Sequence, residues 1–319
     1  MRRATLIAPL LALAAAGGTS TAPVYAGDGP LDDARQAVER LDFSGTVQVV
    51  WSDGRGRHAH TVAVEAVGGT VRVDGHIDVM ATTSGRLVKD HRGWSQFWVG
   101  TPAGAATPSF AAKYSVAPGP STSVAGRPAR TLEVSTRGRL CERILLDDAT
   151  GLLVGRQQLD ELGSTVREVR YTSLRVEAPP SRPLPARFVV DAAAPLSATS
   201  LAAPYRAPAR LIEGYQRLGV YRRDGAVHVL YGDGLYALSV FQQSGRLPGA
   251  PSRPTMQGWA GGQLMTWEDG PLVYTVVGDA PASEVARVAA AFPGPTPLSA
   301  SQRILRSARV LVDVVSGRR

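Results

Sequence analysis

The chain has a single cysteine, Cys141, in 319 residues. That excludes an internal disulfide framework and a cysteine-ligated zinc or iron–sulfur centre. Cys141 reads as a buried thiol, with an intermolecular bridge as the alternative. Lysine is also scarce: Lys89 and Lys113 are the only two, and arginine supplies the rest of the basic side. Net charge is +8, yet the arginines are scattered rather than gathered in a stripe. A nucleic-acid surface is therefore not expected. Beyond the N-terminus no apolar run approaches the roughly 20 residues needed to span a bilayer. Catalytic signatures are missing as well. There is no G-x-S-x-G elbow and no H-E-x-x-H pair, so the chain is expected not to be an enzyme.

What is present begins with a leader. Met1-Arg2-Arg3 is a short positive start, and the thirteen residues Ala4 to Ala16 are apolar except for Thr5 and Pro9. Val24-Tyr25-Ala26 places small residues at −3 and −1 of a cleavage point before Gly27. This is the layout of a secretory signal peptide over 1–26, so an extracytoplasmic location is expected.

The 34 glycines and 23 prolines favour turns and a β-rich chain. Residues 28–42 read as a helix with Leu31, Ala34, Val38 and Leu41 at near-helical spacing. From Phe43 the period changes to that of strands. Thr46 to Trp51, His58 to Val67, Leu87-Val88 and Trp94 to Val99 are candidates. Residues 101–123 read as a long loop. Arg130 to Val134, Leu140 to Leu146, Leu152 to Leu159 and Thr165 to Val176 are joined by short turns, so they form an antiparallel meander. Residues 179–208 hold seven prolines and read as a linker, with proline-rich edge structure as the alternative. In 209–292, four strands precede a helix with Val285, Val288, Ala289 and Phe292 on one face and Asp279 as its cap. That unit is a small antiparallel sheet with one packed helix. The tail 293–319 is basic and amphipathic. It either rests on anionic lipid or docks on the small unit. The organisation is thus a leader (1–26), a large β domain (27–178), a linker (179–208), a small domain (209–292) and the tail.

Several tempting motifs have plainer readings. Gly54 to Ala59 and Gly232 to Ala237 match G-x-G-x-x-A, but a phosphate cradle needs a following helix, and each is followed by a strand pattern. They read as hairpin turns. His58 and His60 share a strand face without an evident third metal ligand, which suits a solvated face. Asp147-Asp148 sits in a turn, where aspartate is favoured for backbone reasons. No cofactor is implied. The aromatics Trp94, Phe97, Trp98 and Tyr114, with Tyr171, are either core or the wall of an apolar groove for an acyl chain or a partner peptide.

Ordered segments then carry a resemblance. Phe43-Ser44-Gly45-Thr46 resembles the opening of the MucB/RseB family of extracytoplasmic sigma-E regulators. Val124 to Ala129 is similar to its strand entry, Leu145 to Leu153 to its hairpin, and Tyr171 to Leu174 to the strand ending its large domain. His228 to Leu235 with Leu238 to Phe241, and Val276 to Pro281, resemble its small domain. The resemblance implies an α+β, mainly antiparallel fold: an unclosed β-barrel with helices, similar to lipoprotein carriers, plus the smaller sheet and helix. It also implies a partner, the extracytoplasmic part of a membrane anti-sigma factor, whose proteolysis the protein would modulate in envelope stress. Lipid is the implied release signal. A lipid or lipoprotein carrier working through the concave face is the alternative.

Overall fold

The computed structural model describes residues 41–53, 56–67, 70–74, 79–82, 85–90, 93–99, 110–177, 194–223, 225–247, 255–257 and 262–294, with Ala34, Ala37, Val38 and Arg40. The expected leader, the distal tail from 295 and most of the expected N-terminal helix lie outside these residues. Ala34, Ala37 and Val38 are helical and buried.

Alternating β-branched residues build a twelve-stranded antiparallel sheet. Its strands are β1 (Phe43–Asp53), β2 (Gly56–Val67), β3 (Thr70–Asp74), β4 (Val79–Thr82), β5 (Gly85–Asp90) and β6 (Gly93–Val99). They continue as β7 (Ser115–Pro118), β8 (Thr122–Val124), β9 (Arg127–Thr136), β10 (Arg139–Asp147), β11 (Leu153–Leu159) and β12 (Thr165–Val176). The order is β6-β5-β4-β3-β2-β1-β12-β11-β10-β9-β7, with β8 also on β9. Its two ends, β6 and β7, do not pair, so the barrel stays open. Val62 and Val64 are buried while Thr61 and Ala63 are exposed, the two-residue period of a sheet with one covered face. Val47, Val49, Ile144, Leu146, Val154 and Val169 continue that core.

Hairpin chemistry fixes the turns. Ala125 and Gly126 have φ of 51° and 76°, and Arg137 and Gly138 have 51° and 73°, the two positive angles of a type I′ turn. The β10–β11 turn is tied by Asp147, which accepts from Arg127 at 2.7 and 2.8 Å and from the Thr150 hydroxyl at 2.6 Å. Burial alone would raise its pKa; the Arg127 and Thr150 hydrogen bonds outweigh it and the pKa is lowered. His58 stacks on Trp51 at 5.3 Å across the first hairpin, rather than lying on a solvated face. β2 begins at Gly56 and pairs antiparallel with β1, so a strand and not a helix runs through the end of the first glycine motif.

A seven-stranded antiparallel sheet follows, ordered β13-β14-β15-β16-β19-β18-β17. Its strands are β13 (Ala194–Pro195), β14 (Gln216–Arg223), β15 (Ala226–Gly232), β16 (Ala237–Ser244), β17 (Thr255–Gln257), β18 (Gln263–Asp269) and β19 (Leu272–Gly278). Of the proline-rich stretch, residues 194–208 are described. Within them Ala194–Pro195 pair with β14 as a two-residue edge strand, and Leu196, Leu201 and Tyr205 pack on the core.

Helix α1 (Ala282–Ala290) buries Val285, Val288 and Ala289, and Phe292 beyond it, as its spacing predicts. Asp279 does not cap it. The N-cap position is Pro281, with no side-chain cap, because the Asp279 carboxylate is engaged elsewhere: by the Ala237 N–H at 3.1 Å and Arg156 at 3.3 Å. No helix among the described residues is long and apolar enough to cross a membrane.

His228, on β15, is stacked on Phe241 at 4.5 Å, and burial pushes its pKa from 6.5 down to about 3. The folded imidazole therefore stays neutral where the unfolded one takes a proton. Stability falls as pH drops from about 6.5 toward 3, approaching roughly 1.4 kcal/mol per pH unit. Urea midpoints at pH 7 and pH 4 check this. His228→Gln removes that share of the acid loss; equal losses in both proteins would refute the assignment.

Candidate functional site

The two sheets meet along a seam where strand patterning breaks its own rule. Glu142 shares its side of β10 with buried Ile144, and Arg156, the register partner of Ile144 on β11, lies on that same side. Charges at core-facing positions need partners, because an unpaired ion inside costs several kcal/mol. Here Arg156, 6% exposed, grips Glu142, 0% exposed, through both carboxylate oxygens, Nη2 donating at 3.0 Å. Arg156 then crosses to the small sheet. It donates to Asp279 at 3.3 Å and to the Leu235 carbonyl at 3.4 Å, and it lies over the Tyr236 ring at 5.3 Å. Gln158 adds a bond of 2.9 Å to the Asp279 carbonyl. Arg167, another core-facing charge, has its pKa lowered to about 10 by burial and remains a cation at neutral pH. The β15–β16 turn of the small sheet thus covers this part of the large sheet's core-facing side.

A second cluster gathers at Lys113. A short 3-10 turn, Phe110–Ala112, delivers it across the seam. Its Nζ donates to Asp233 at 2.5 Å and to Glu284 at 3.1 Å, between the rings of Tyr114 and Tyr215. Tyr114 donates to Asp233 at 2.6 Å, and Tyr215 to Glu284 at 2.8 Å. Burial first, then the neighbouring carboxylates, raises both phenol pKa values, so both hydroxyls are donors. The other oxygen of Asp233 accepts the Leu235 and Tyr236 N–H groups at 3.0 and 2.8 Å. This is a hairpin turn, as the second glycine motif reads. At Gly234 (φ +96°) an added Cβ would lie 2.7 Å from the Phe110 Cα, so glycine is required where the sheets touch.

At the rim, Arg137 donates to Glu213 at 3.2 Å, and Glu213 also holds Arg287 at 2.9 Å. A cleft of about 430 Å³ opens beside these clusters, lined by Cys141 and Gln158 from the large sheet and by Gln263, Ser283, Glu284 and Arg287 from the small unit. The Cys141 thiol donates to the Val134 carbonyl at 3.3 Å, and burial followed by the Glu284 charge pushes its pKa up to about 11. A thiol held protonated is a poor nucleophile and a poor metal ligand. Among the described residues, no group of three or more His, Cys, Asp or Glu is placed to hold a metal ion.

Of the aromatics singled out from the sequence, the side chains of Tyr114 and Tyr171 are described. Tyr114 is 5% exposed and belongs to the seam, while Tyr171 is 6% exposed and meets Phe43 edge-on at 6.4 Å. Core packing describes both. Trp94, Phe97 and Trp98 lie on the terminal strand β6, whose pairing with β5 shifts register between Gln96 and Trp98; their side chains lie outside the described residues. Lys113, Glu142, Arg156, Asp233 and Glu284 carry no site motif in the sequence, and Asp279 reads there only as a helix cap. The legible signal was charge at core-facing strand positions, Glu142 and Arg156 above all.

No family model matches the chain, and no curated protein matches it. Solved structures do. The chain is similar to MucB in complex with MucA(peri), with a TM-score of 0.52 and 22% identity over 84% of this chain and 98% of that chain. It is similar to the MucA/MucB complex of Pseudomonas aeruginosa at a TM-score of 0.52 and 21% identity, over 84% of this chain and 98% of that one. At such identity the likeness is one of architecture, and it runs through both sheets: the chain has a MucB/RseB-like fold.

Proposed function

We propose that this chain is a secreted regulatory binding protein. It engages the extracytoplasmic part of a membrane anti-sigma factor and modulates that factor's proteolysis in envelope-stress signalling. The observation that carries this reading is the likeness to MucB over 98% of its length, in a structure where MucB holds MucA(peri). The leader-like residues 1–26 support the compartment. The aromatic strand β6, with Trp94, Phe97 and Trp98 at the end of the large sheet, is the proposed partner contact, since aromatic anchors dominate protein interfaces.

The test is a crosslinking pull-down from the cell envelope with residues 27–319 as bait, followed by binding measurements on what is recovered. The expected catch is a single-span protein whose inner domain binds a sigma factor. Alanine at Trp94, Phe97 and Trp98 together is expected to weaken its outer segment's binding at least about tenfold. Repeated recovery without any anti-sigma factor would overturn the function. Unchanged affinity of the triple variant would overturn the contact alone.

A further inference from the structure

Four cross-seam ion pairs share one polarity. Lys113, Arg137 and Arg156 are on the large unit; Asp233, Glu284, Glu213 and Asp279 are on the small one. No strand of one sheet pairs with a strand of the other among the described residues. Among the described residues, no backbone–backbone hydrogen bond joins the two sheets; side chains make the crossing. The seam also carries apolar contact, with Tyr114 meeting Tyr236 edge-on at 6.4 Å inside a core cluster that holds residues of both sheets. With no shared ladder to break, the units part once the side-chain ties are released. Buried ion pairs fix geometry more than they add net stability. The rim shows the same priority. Arg137 and Glu213 both take positive φ, 51° and 63°, where Asn or Gly would be easier, and they meet each other across the seam.

We propose that this charge-segregated seam is a latch. The two sheets separate as preformed bodies when it is released, and release uncovers the cleft at Cys141. Lys113 is the bolt, because without it Asp233 and Glu284 face each other as unneutralised anions. The latch is independent of which partner the protein binds.

Cys141 is a built-in reporter. Half-buried Cys141 lines the same cleft as Glu284, so parting the sheets exposes its thiol further and raises its thiolate fraction. The experiment measures N-ethylmaleimide labelling of residues 27–319 under native conditions, with far-UV circular dichroism as the fold control. Lys113→Met is expected to label at least about tenfold faster than wild type with its fold intact. Arg137→Asn suits its turn and loses only a rim pair, and is expected to label about threefold faster. Should Lys113→Met fail to fold, Arg137→Asn decides alone. Labelling rates equal to wild type in the folded variants would overturn the latch. So would acceleration that follows urea with the full slope of global unfolding, since the sheets would then not part as preformed bodies.

Discussion

Arg156→Met is expected to lower unfolding free energy by about 3–5 kcal/mol, as when one partner of a buried ion pair is removed. Methionine fills a similar volume, so packing is not the main loss. What is lost is the cation between Glu142 and Asp279, and Glu142 at 0% exposure has no water to turn to. Replacing both members of the intra-sheet pair, Arg156→Met with Glu142→Leu, is expected to recover most of the loss, because a buried pair is often no better than an apolar one of similar shape. Urea midpoints of the three proteins check this. A single variant within about 1 kcal/mol of wild type would mean that Glu142 is not held as an anion by Arg156.

Asp233→Ala is expected to cost a comparable amount, about 3–5 kcal/mol, for different reasons. One carboxylate serves four donors: the Lys113 ammonium, the Tyr114 hydroxyl and two backbone N–H groups of its own turn. Truncation strands the buried donors, and each unsatisfied one costs about 1–3 kcal/mol. Asp233→Asn separates the two halves of the role. It keeps a carbonyl oxygen for the Leu235 and Tyr236 N–H groups and removes the charge facing Lys113, so it should cost clearly less than alanine. Thermal and urea unfolding of the pair decide. Equal losses for Asn and Ala would place the whole effect in the ion pair and none in the turn.

The sequence made the meander β9 to β12 readable because one face is covered and the turns are short. It also made β15, β16, β18, β19 and α1 readable, for the same reason of clean periodicity. β14 escaped because Gln216, Arg217, Arg222 and Arg223 hide the buried Leu218, Val220 and Tyr221. β3 and β4, five and four residues long, offer too few positions for alternation to register. The seam was harder. Lys113 and Asp233 stand 120 residues apart, and Asp233 alone looks like any turn aspartate. Asp279 two residues before α1's N-cap reads as a capping residue until Arg156 is placed beside it. Charges such as Glu142 and Arg156 were visible on core-facing positions, but their partners come from another sheet, which no local pattern encodes.

The middle of the large sheet has a consequence for how the protein is made. β1 and β12, its first and last strands in the chain, are neighbours there, with the Thr46 N–H donating to the Ser173 hydroxyl across 127 residues. A nascent chain emerging from its N-terminus can pair β1 only with β2 until Val176 is out. The central ladder then closes late, at the cost of a long loop. Any chain cut short before β12 leaves β1 as a bare template for a foreign strand.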